Sequence, residues 1–220
     1  MAFTLAETLV VIGIIGVVAA LTLPNLNSSA GDKEKVAKVK KLYSNLSDAL
    51  GRAQAVYGPI GTWCVNYSDS CSLRHINRIT EFMNVSKVSK NWADCKSPNW
   101  NTTDGSLSGL NKCAILKDGT TLSLAIYSDG QNGYFLADID GPLKGKNACG
   151  YDAFVFLYDR YSVRVNGPDD YVKPYGSVWN CETAAGWVVD YDNMDYLKTS
   201  DGTTCPNGTK LTVGGNHSCK

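Results

Sequence analysis

The hydrophobic pattern begins with a segment that is apolar on every helical face. Residues 3–23 read FTLAETLVVIGIIGVVAALTL, and Glu7 is the one charged side chain before residue 32. Such uniform apolarity excludes an ordinary amphipathic surface helix. A helix of this length spans about 30 Å, the thickness of one bilayer core. The pattern therefore predicts a helix that is buried in lipid or among other apolar helices.

A second helix is predicted from a different periodicity between residues 31 and 58. Apolar residues recur there every three or four positions, as on one stripe of an amphipathic helix: Val36, Val39, Tyr43, Leu46, Leu50, Ala53 and Tyr57. Gly58-Pro59 is a typical helix end. Pro24 and the segment 25–31, which is mostly Asn, Ser and Gly, favour helix poorly, so a hinge is expected near Pro24.

Beyond residue 58 the pattern becomes that of β-strands. Strands are predicted at 121–128, 133–139, 153–158 and 161–165, with a further strand at 186–189. Asp-Gly turns at 118–119, 129–130 and 140–141 punctuate them. Residues 59–117 are expected to be irregular apart from a short helix around 76–83. The prediction is an α+β fold in which an antiparallel sheet buries the stripe of the long helix. Its parts are 1–30, 31–58 and 59–220.

Composition and charge narrow the function classes. The chain has 220 residues, of which 44% are hydrophobic, so it is not a wholly disordered protein. Lys and Arg total 21 and so do Asp and Glu, and this balance disfavours a dedicated nucleic-acid-binding protein. No phosphate loop, nucleophile elbow or zinc-protease motif is present in the sequence, so an enzyme is not expected.

The eight cysteines indicate an exported, disulfide-bonded body. No Cys-x-x-Cys pair occurs, which disfavours a zinc ribbon or a redox motif. The many possible pairings stay open. The simplest choice joins nearest neighbours in sequence: Cys64–Cys71, Cys95–Cys113, Cys149–Cys181 and Cys205–Cys219.

Three aspartates form a calcium candidate. Asp138, Asp140 and Asp152 supply loop carboxylates of the kind that calcium prefers. The alternative is turn chemistry, in which aspartates accept hydrogen bonds from nearby backbone amides. No other cofactor is expected.

The N-terminal residues carry a resemblance to a known family. Phe3-Thr4-Leu5-Ala6-Glu7, followed by an unbroken apolar segment, resembles the N-terminal signature of type IV pilins and type II secretion pseudopilins. Gly16 and Pro24 also stand at the family's spacing from Phe3. A cleaved secretory signal would carry a basic residue before the apolar stretch, and a plain membrane anchor leaves Glu7 unexplained.

The resemblance implies a lollipop-shaped fold with a helical spine and a strand-rich head. It also implies cleavage between Ala2 and Phe3 by a prepilin peptidase, although Ala2 stands where the family has glycine. N-methylation of Phe3 would follow, and Phe3, Glu7, Gly16 and Pro24 would serve subunit assembly.

The expected function is that of a structural subunit of an extracellular type IV pilus-like filament. The alternatives are a secretion pseudopilin or a minor, tip-located pilin that binds surfaces or DNA. The expected partners are further copies of the chain, the inner membrane before assembly, and the assembly machinery. The expected location is the inner membrane and then the bacterial cell surface.

Overall fold

The computed structural model describes residues 5–95, 110–167, 178–199 and 201–219, with the backbone alone at 19–30 and 178–180. The chain forms two compact units, Met1–Lys35 and Val36–Lys220. Ala2 and Phe3 lie outside the described residues. So does the side chain of Pro24, and the hinge expected there stays a prediction.

Helix α1 is assigned to Leu5–Tyr57, and its described side chains fall into two contrasting stretches. In the second unit the predicted stripe is confirmed, because the buried positions include Val39, Leu46 and Ala53, each 0% exposed. Leu42 and Ala49 widen the stripe. The helix ends at Tyr57 because Gly58 adopts a left-handed backbone conformation, with φ 79°.

The second unit is built on a six-stranded antiparallel meander whose strands are in sequence order. The strands are β1 (Val85–Ser89), β2 (Lys112–Leu116), β3 (Thr121–Ile126), β4 (Gly133–Asp138), β5 (Ala153–Tyr158) and β6 (Val163–Arg164). The central strands are buried on both faces. Alternate residues, such as Phe154 and Phe156, join the core that contains the α1 stripe, and Val155 lies in a second cluster on the opposite face.

Two further helices complete the α+β fold, α2 (Asp69–Thr80) and α3 (Val178–Tyr191). Short 3-10 turns cover Ile60–Thr62, Trp92–Asp94 and Asp195–Lys198. The predicted short helix exists but begins earlier, because the Ser68 side chain caps α2 by accepting the Cys71 amide at 3.1 Å.

Two predictions about secondary structure are wrong. Residues 186–189 belong to α3 and not to a strand, because a short apolar run also suits a buried helix. The described part of the region 59–117 is more regular than expected, since it contains β1 and β2 beside the predicted helix. The β1 sequence VSKVS is largely exposed and so lacks a clear alternation.

Four disulfides join the eight cysteines, and each joins nearest neighbours in sequence. The bonds are Cys64–Cys71, Cys95–Cys113, Cys149–Cys181 and Cys205–Cys219. This is the simplest of the pairings that the sequence left open. Cys149–Cys181 fastens the connection before β5 to α3.

Candidate functional site

The N-terminal stretch of α1 exposes apolar side chains all around the helix. Each of nine large apolar residues between 5 and 18 is at least 50% exposed. They are Leu5, Leu9, Val10, Val11, Ile12, Ile14, Ile15, Val17 and Val18. Because these positions run through about four helical turns, they cannot share one face. In the first unit, the segment therefore presents a continuous apolar surface.

Glu7 is an exposed residue in the first turn of α1, one residue before Thr8. The Thr8 hydroxyl donates a hydrogen bond to the Leu5 carbonyl oxygen at 2.8 Å. The structure thus places Glu7 at the N-terminal end of the described apolar surface.

Gly13 and Gly16 lie within this apolar stretch. A Cβ atom built on either glycine meets no heavy atom within 4 Å in the described structure. Glycine costs about 0.5–1 kcal/mol relative to alanine inside a helix. Contacts among the described residues therefore do not explain why these two positions lack a side chain.

A second candidate site lies in the connection between β4 and β5. Asp138, at the end of β4, accepts the amides of Asp140 and Gly141 at 3.3 and 3.0 Å through Oδ1. Asp152, just before β5, accepts the amide of Asn147 at 2.9 Å and that of Ala148 at 2.7 Å. The turn chemistry expected of these aspartates is present in the structure.

The electrostatics of this loop are unusual. Burial, followed by the nearby carboxylates of Asp140 and Asp152, raises the pKa of Asp138 to about 7. Asp138 is 4% exposed and Asp152 is 0% exposed. The loop thus gathers the three acidic residues predicted from the sequence. Two further residues of this loop, Gly145 and Asn147, carried no signal in the sequence.

Two other buried titratable side chains were not singled out from the sequence. His75 on α2 is 0% exposed, and its burial lowers its pKa to about 4, with help from the nearby Arg78 charge. Glu182 on α3 is 4% exposed, and its burial raises its pKa to about 7. Their partners are distant in sequence, so local patterns gave no signal for either site.

His75 also lies beside the Cys64–Cys71 disulfide. A ring nitrogen of His75 and the Sγ atoms of Cys64 and Cys71 all lie within 4.8 Å of one another. Thiolates bind metals, whereas the two sulfurs here are bonded to each other. This cluster in its oxidised form therefore lacks the thiolate pair of a zinc site.

Among the residues that the structure describes, no helix combines the length and the apolarity needed to cross a bilayer. No protein-family model, curated protein or solved structure matches the chain.

Proposed function

We propose that the chain is a structural subunit of an extracellular type IV pilus-like filament that assembles through its N-terminal apolar helix. The observation that carries the proposal is the apolar surface of residues 5–18, which surrounds the helix on all sides. Exposure of this surface to water is unfavourable, because the burial of each large apolar side chain lowers the free energy by about 1.5–3 kcal/mol. Nine such side chains provide a large driving force for assembly.

Further copies of the same chain are the proposed cover for this surface. Several parallel helices can bury a surface that is apolar all around, whereas one partner groove covers only one face. Gly13 and Gly16 support this choice, because small residues let neighbouring helices approach closely. Before assembly the inner membrane would hold the same segment, and the disulfide-bonded unit would lie outside the cytoplasm.

Glu7 is proposed to set the register between subunits. In a dry bundle of helices, its carboxylate would pair with the N-terminal amine of a neighbouring copy. The pair would neutralise two charges that are costly to bury alone. Loss of one partner from a buried pair costs about 3–5 kcal/mol. In a filament that repeats the contact, such a loss would stop growth.

The test is to express the full chain with its assembly machinery and to count filaments by electron microscopy. We expect Glu7→Leu and Glu7→Gln to abolish filaments, and Glu7→Asp to reduce them. The matched control is Glu34→Gln, which removes an exposed acidic charge of α1 outside the apolar surface. Its filament count should be close to that of the wild type.

Two further measurements are needed to interpret the filament counts. Mass spectrometry of the mature N-terminus separates an assembly defect from a processing defect, and oxidation of all eight cysteines shows that the second unit has folded. Normal filaments from Glu7→Leu would refute the charge-pair account. A wild-type chain that is processed and exported but never polymerises would refute the proposed function itself.

A further inference from the structure

Cys64, Cys71 and His75 bring three metal-binding side chains to one buried point of the second unit. The two sulfurs and a ring nitrogen all lie within 4.8 Å of one another, and each of the three residues is less than 8% exposed. A tetrahedral zinc ion, with bonds of about 2.0–2.3 Å, holds its sulfur and nitrogen ligands about 3.5–3.8 Å apart. Small movements of these side chains would therefore give zinc-binding distances.

The local structure explains why the three residues meet. Cys71 and His75 are four positions apart on α2, so they lie on the same face of the helix, one turn apart. Cys64 belongs to the segment that joins α1 to α2. The Arg74 guanidinium of α2 holds this segment by donating a hydrogen bond to the Trp63 carbonyl oxygen. The disulfide is thus not the only link between the segment and the helix.

The imidazole of His75 is oriented like that of a metal ligand. Its Nδ1 lies 3.1 Å from the Tyr158 hydroxyl oxygen, whereas Nε2 is buried and lacks a hydrogen-bond partner. Metal-binding histidines commonly donate from their other ring nitrogen to a protein acceptor, which fixes the ring and its tautomer. In the tautomer with the proton on Nδ1, Nε2 carries a free lone pair. A metal ion would satisfy this buried nitrogen, which is costly to leave without a partner.

The Gly130 carbonyl is positioned to be a fourth ligand. Its oxygen lies 3.9 Å from Cys71 Sγ, close to the separation of about 3.6 Å between an oxygen and a sulfur ligand of zinc. The Gly130 backbone also lies close to the His75 ring, although outside hydrogen-bond geometry with Nε2. Glycine permits this approach of the β3–β4 turn, because a Cβ atom at 130 would lie 3.2 Å from Cys64 Cβ.

We propose that Cys64, Cys71 and His75 bind a zinc ion when the Cys64–Cys71 disulfide is reduced. The chain is synthesised with free thiols, and disulfides form only in an oxidising compartment. In the thiol state, zinc holds the segment after α1 against α2, as the disulfide does in the oxidised state. This proposal is independent of filament formation, because it concerns the second unit alone. Either proposal can fail without the other.

A dithiol is the reductant that converts the oxidised state into the zinc-binding state. One of its thiolates attacks the disulfide to form a mixed disulfide, and its second thiolate then displaces the remaining cysteine. The dithiol becomes a cyclic disulfide, and two electrons and two protons pass to Cys64 and Cys71. Zinc(II) replaces the two thiol protons, which go to solvent, and Nε2 of His75 donates its lone pair. Because zinc binds only the reduced form, it shifts the equilibrium towards that form.

The experiment equilibrates the full chain, in a mild detergent, with reduced and oxidised dithiothreitol at a series of set potentials. One set of samples contains zinc at a free concentration that a chelator buffer holds constant, and the other contains EDTA. Free thiols are then alkylated, and mass spectrometry measures the reduced fraction of each cysteine pair. Zinc should favour the reduced Cys64–Cys71 pair at least about a hundredfold, which raises its midpoint potential by about 60 mV, at about 30 mV for each tenfold change.

Cys95–Cys113 is the internal control, because among the described residues this pair belongs to no cluster with a histidine. Zinc should change its equilibrium less than about tenfold. The proposal is overturned if zinc shifts Cys64–Cys71 no more than Cys95–Cys113. This comparison is made within the wild-type chain, so it does not depend on the folding of any variant.

His75→Asn is the decisive variant, since it keeps both cysteines and a polar group opposite Tyr158 but lacks Nε2. The effect of zinc on its Cys64–Cys71 pair should be at least about tenfold smaller than in the wild type. His217→Asn is the matched control, because it removes a histidine that stacks on Tyr191 outside the cluster. It should keep the wild-type response to zinc. A wild-type response from His75→Asn would also overturn the proposal.

Discussion

His75 Nδ1 lies 3.1 Å from the Tyr158 hydroxyl oxygen, and both side chains are buried in the core of the second unit. The contact joins α2 to β5 across 83 positions of sequence. Trp63 packs edge-on against the same imidazole, with ring centres 5.1 Å apart. A neutral histidine suits this apolar site, whereas an imidazolium would have to be buried near Arg78.

This contact predicts a loss of stability in acid. The pKa of His75 falls from 6.5 to about 4 on folding, so the unfolded chain binds the proton more tightly. The contribution of the neutral His75 side chain to the free energy of unfolding is complete above pH 6.5 and is lost as the pH falls towards 4. Its size is about 3 kcal/mol, at 1.36 kcal/mol for each pKa unit.

The comparison variant for this prediction is His75→Asn, whose amide replaces Nδ1 opposite Tyr158 but does not titrate. Urea unfolding should be followed by tryptophan fluorescence between pH 4 and pH 7.5. The advantage of wild-type protein over the variant should shrink as the pH falls. A difference that does not depend on pH would contradict the buried neutral histidine.

Glu182 predicts the opposite pH dependence. Its pKa rises from 4.5 to about 7 on folding because the carboxyl is buried, although the Arg164 charge opposes the shift. The folded state therefore binds the proton more tightly. The contribution of the protonated Glu182 carboxyl to the free energy of unfolding is complete below pH 4.5 and is lost as the pH rises through 7. The ionised carboxylate thus destabilises the fold under mildly alkaline conditions.

The variant Glu182→Gln should remove this penalty while it retains an oxygen that accepts from the Asn166 side-chain amide. We expect equal stability of variant and wild type at pH 4.5, and a gain of about 1–3 kcal/mol for the variant at pH 8. Asp190→Asn, an exchange near the end of the same helix, serves as the control for net charge. A wild type that is more stable than Glu182→Gln at pH 8 would show that Glu182 is retained as a useful charge.

The sequence predicts best where the physical cause is local. The α1 stripe and strands β3 to β5 follow directly from periodicity and from Asp-Gly turns, which need only neighbouring residues. The three aspartates of the β4–β5 connection could also be named, because they lie within one short segment. The buried side-chain oxygens of Asp140 and Asn147 that accept no hydrogen bond could not, since their burial depends on how the loop folds.

Features that depend on tertiary contacts were missed for a common reason. The strand β1 is recognisable only through its pairing with β2, because its own residues are mostly exposed. The apolar run at 186–189 is compatible with a strand or with a helix. In the structure it is helical, and α3 contacts β5. The environments of His75 and Glu182 likewise arise from elements that meet only after folding.

Two glycines in α1 allow the stability of a single chain to be distinguished from the stability of the filament. Gly16 lies in the apolar surface, and Gly51 is an exposed position of the same helix in the second unit. Neither glycine would bring a new Cβ within 4 Å of a described heavy atom. In the single chain, alanine at either position should stabilise the helix by about 0.5–1 kcal/mol.

The filament should distinguish these two alanines. If copies of the chain pack closely around residue 16, an added methyl group would separate the helices, and overpacking of this kind typically costs about 1–3 kcal/mol. We therefore expect Gly16→Ala to reduce filament number or length and Gly51→Ala to leave both unchanged. Helicity by circular dichroism should rise slightly in both variants. Equal assembly of the two variants would show that residue 16 does not lie in a close helix contact, and the proposed packing around Gly16 would then be wrong.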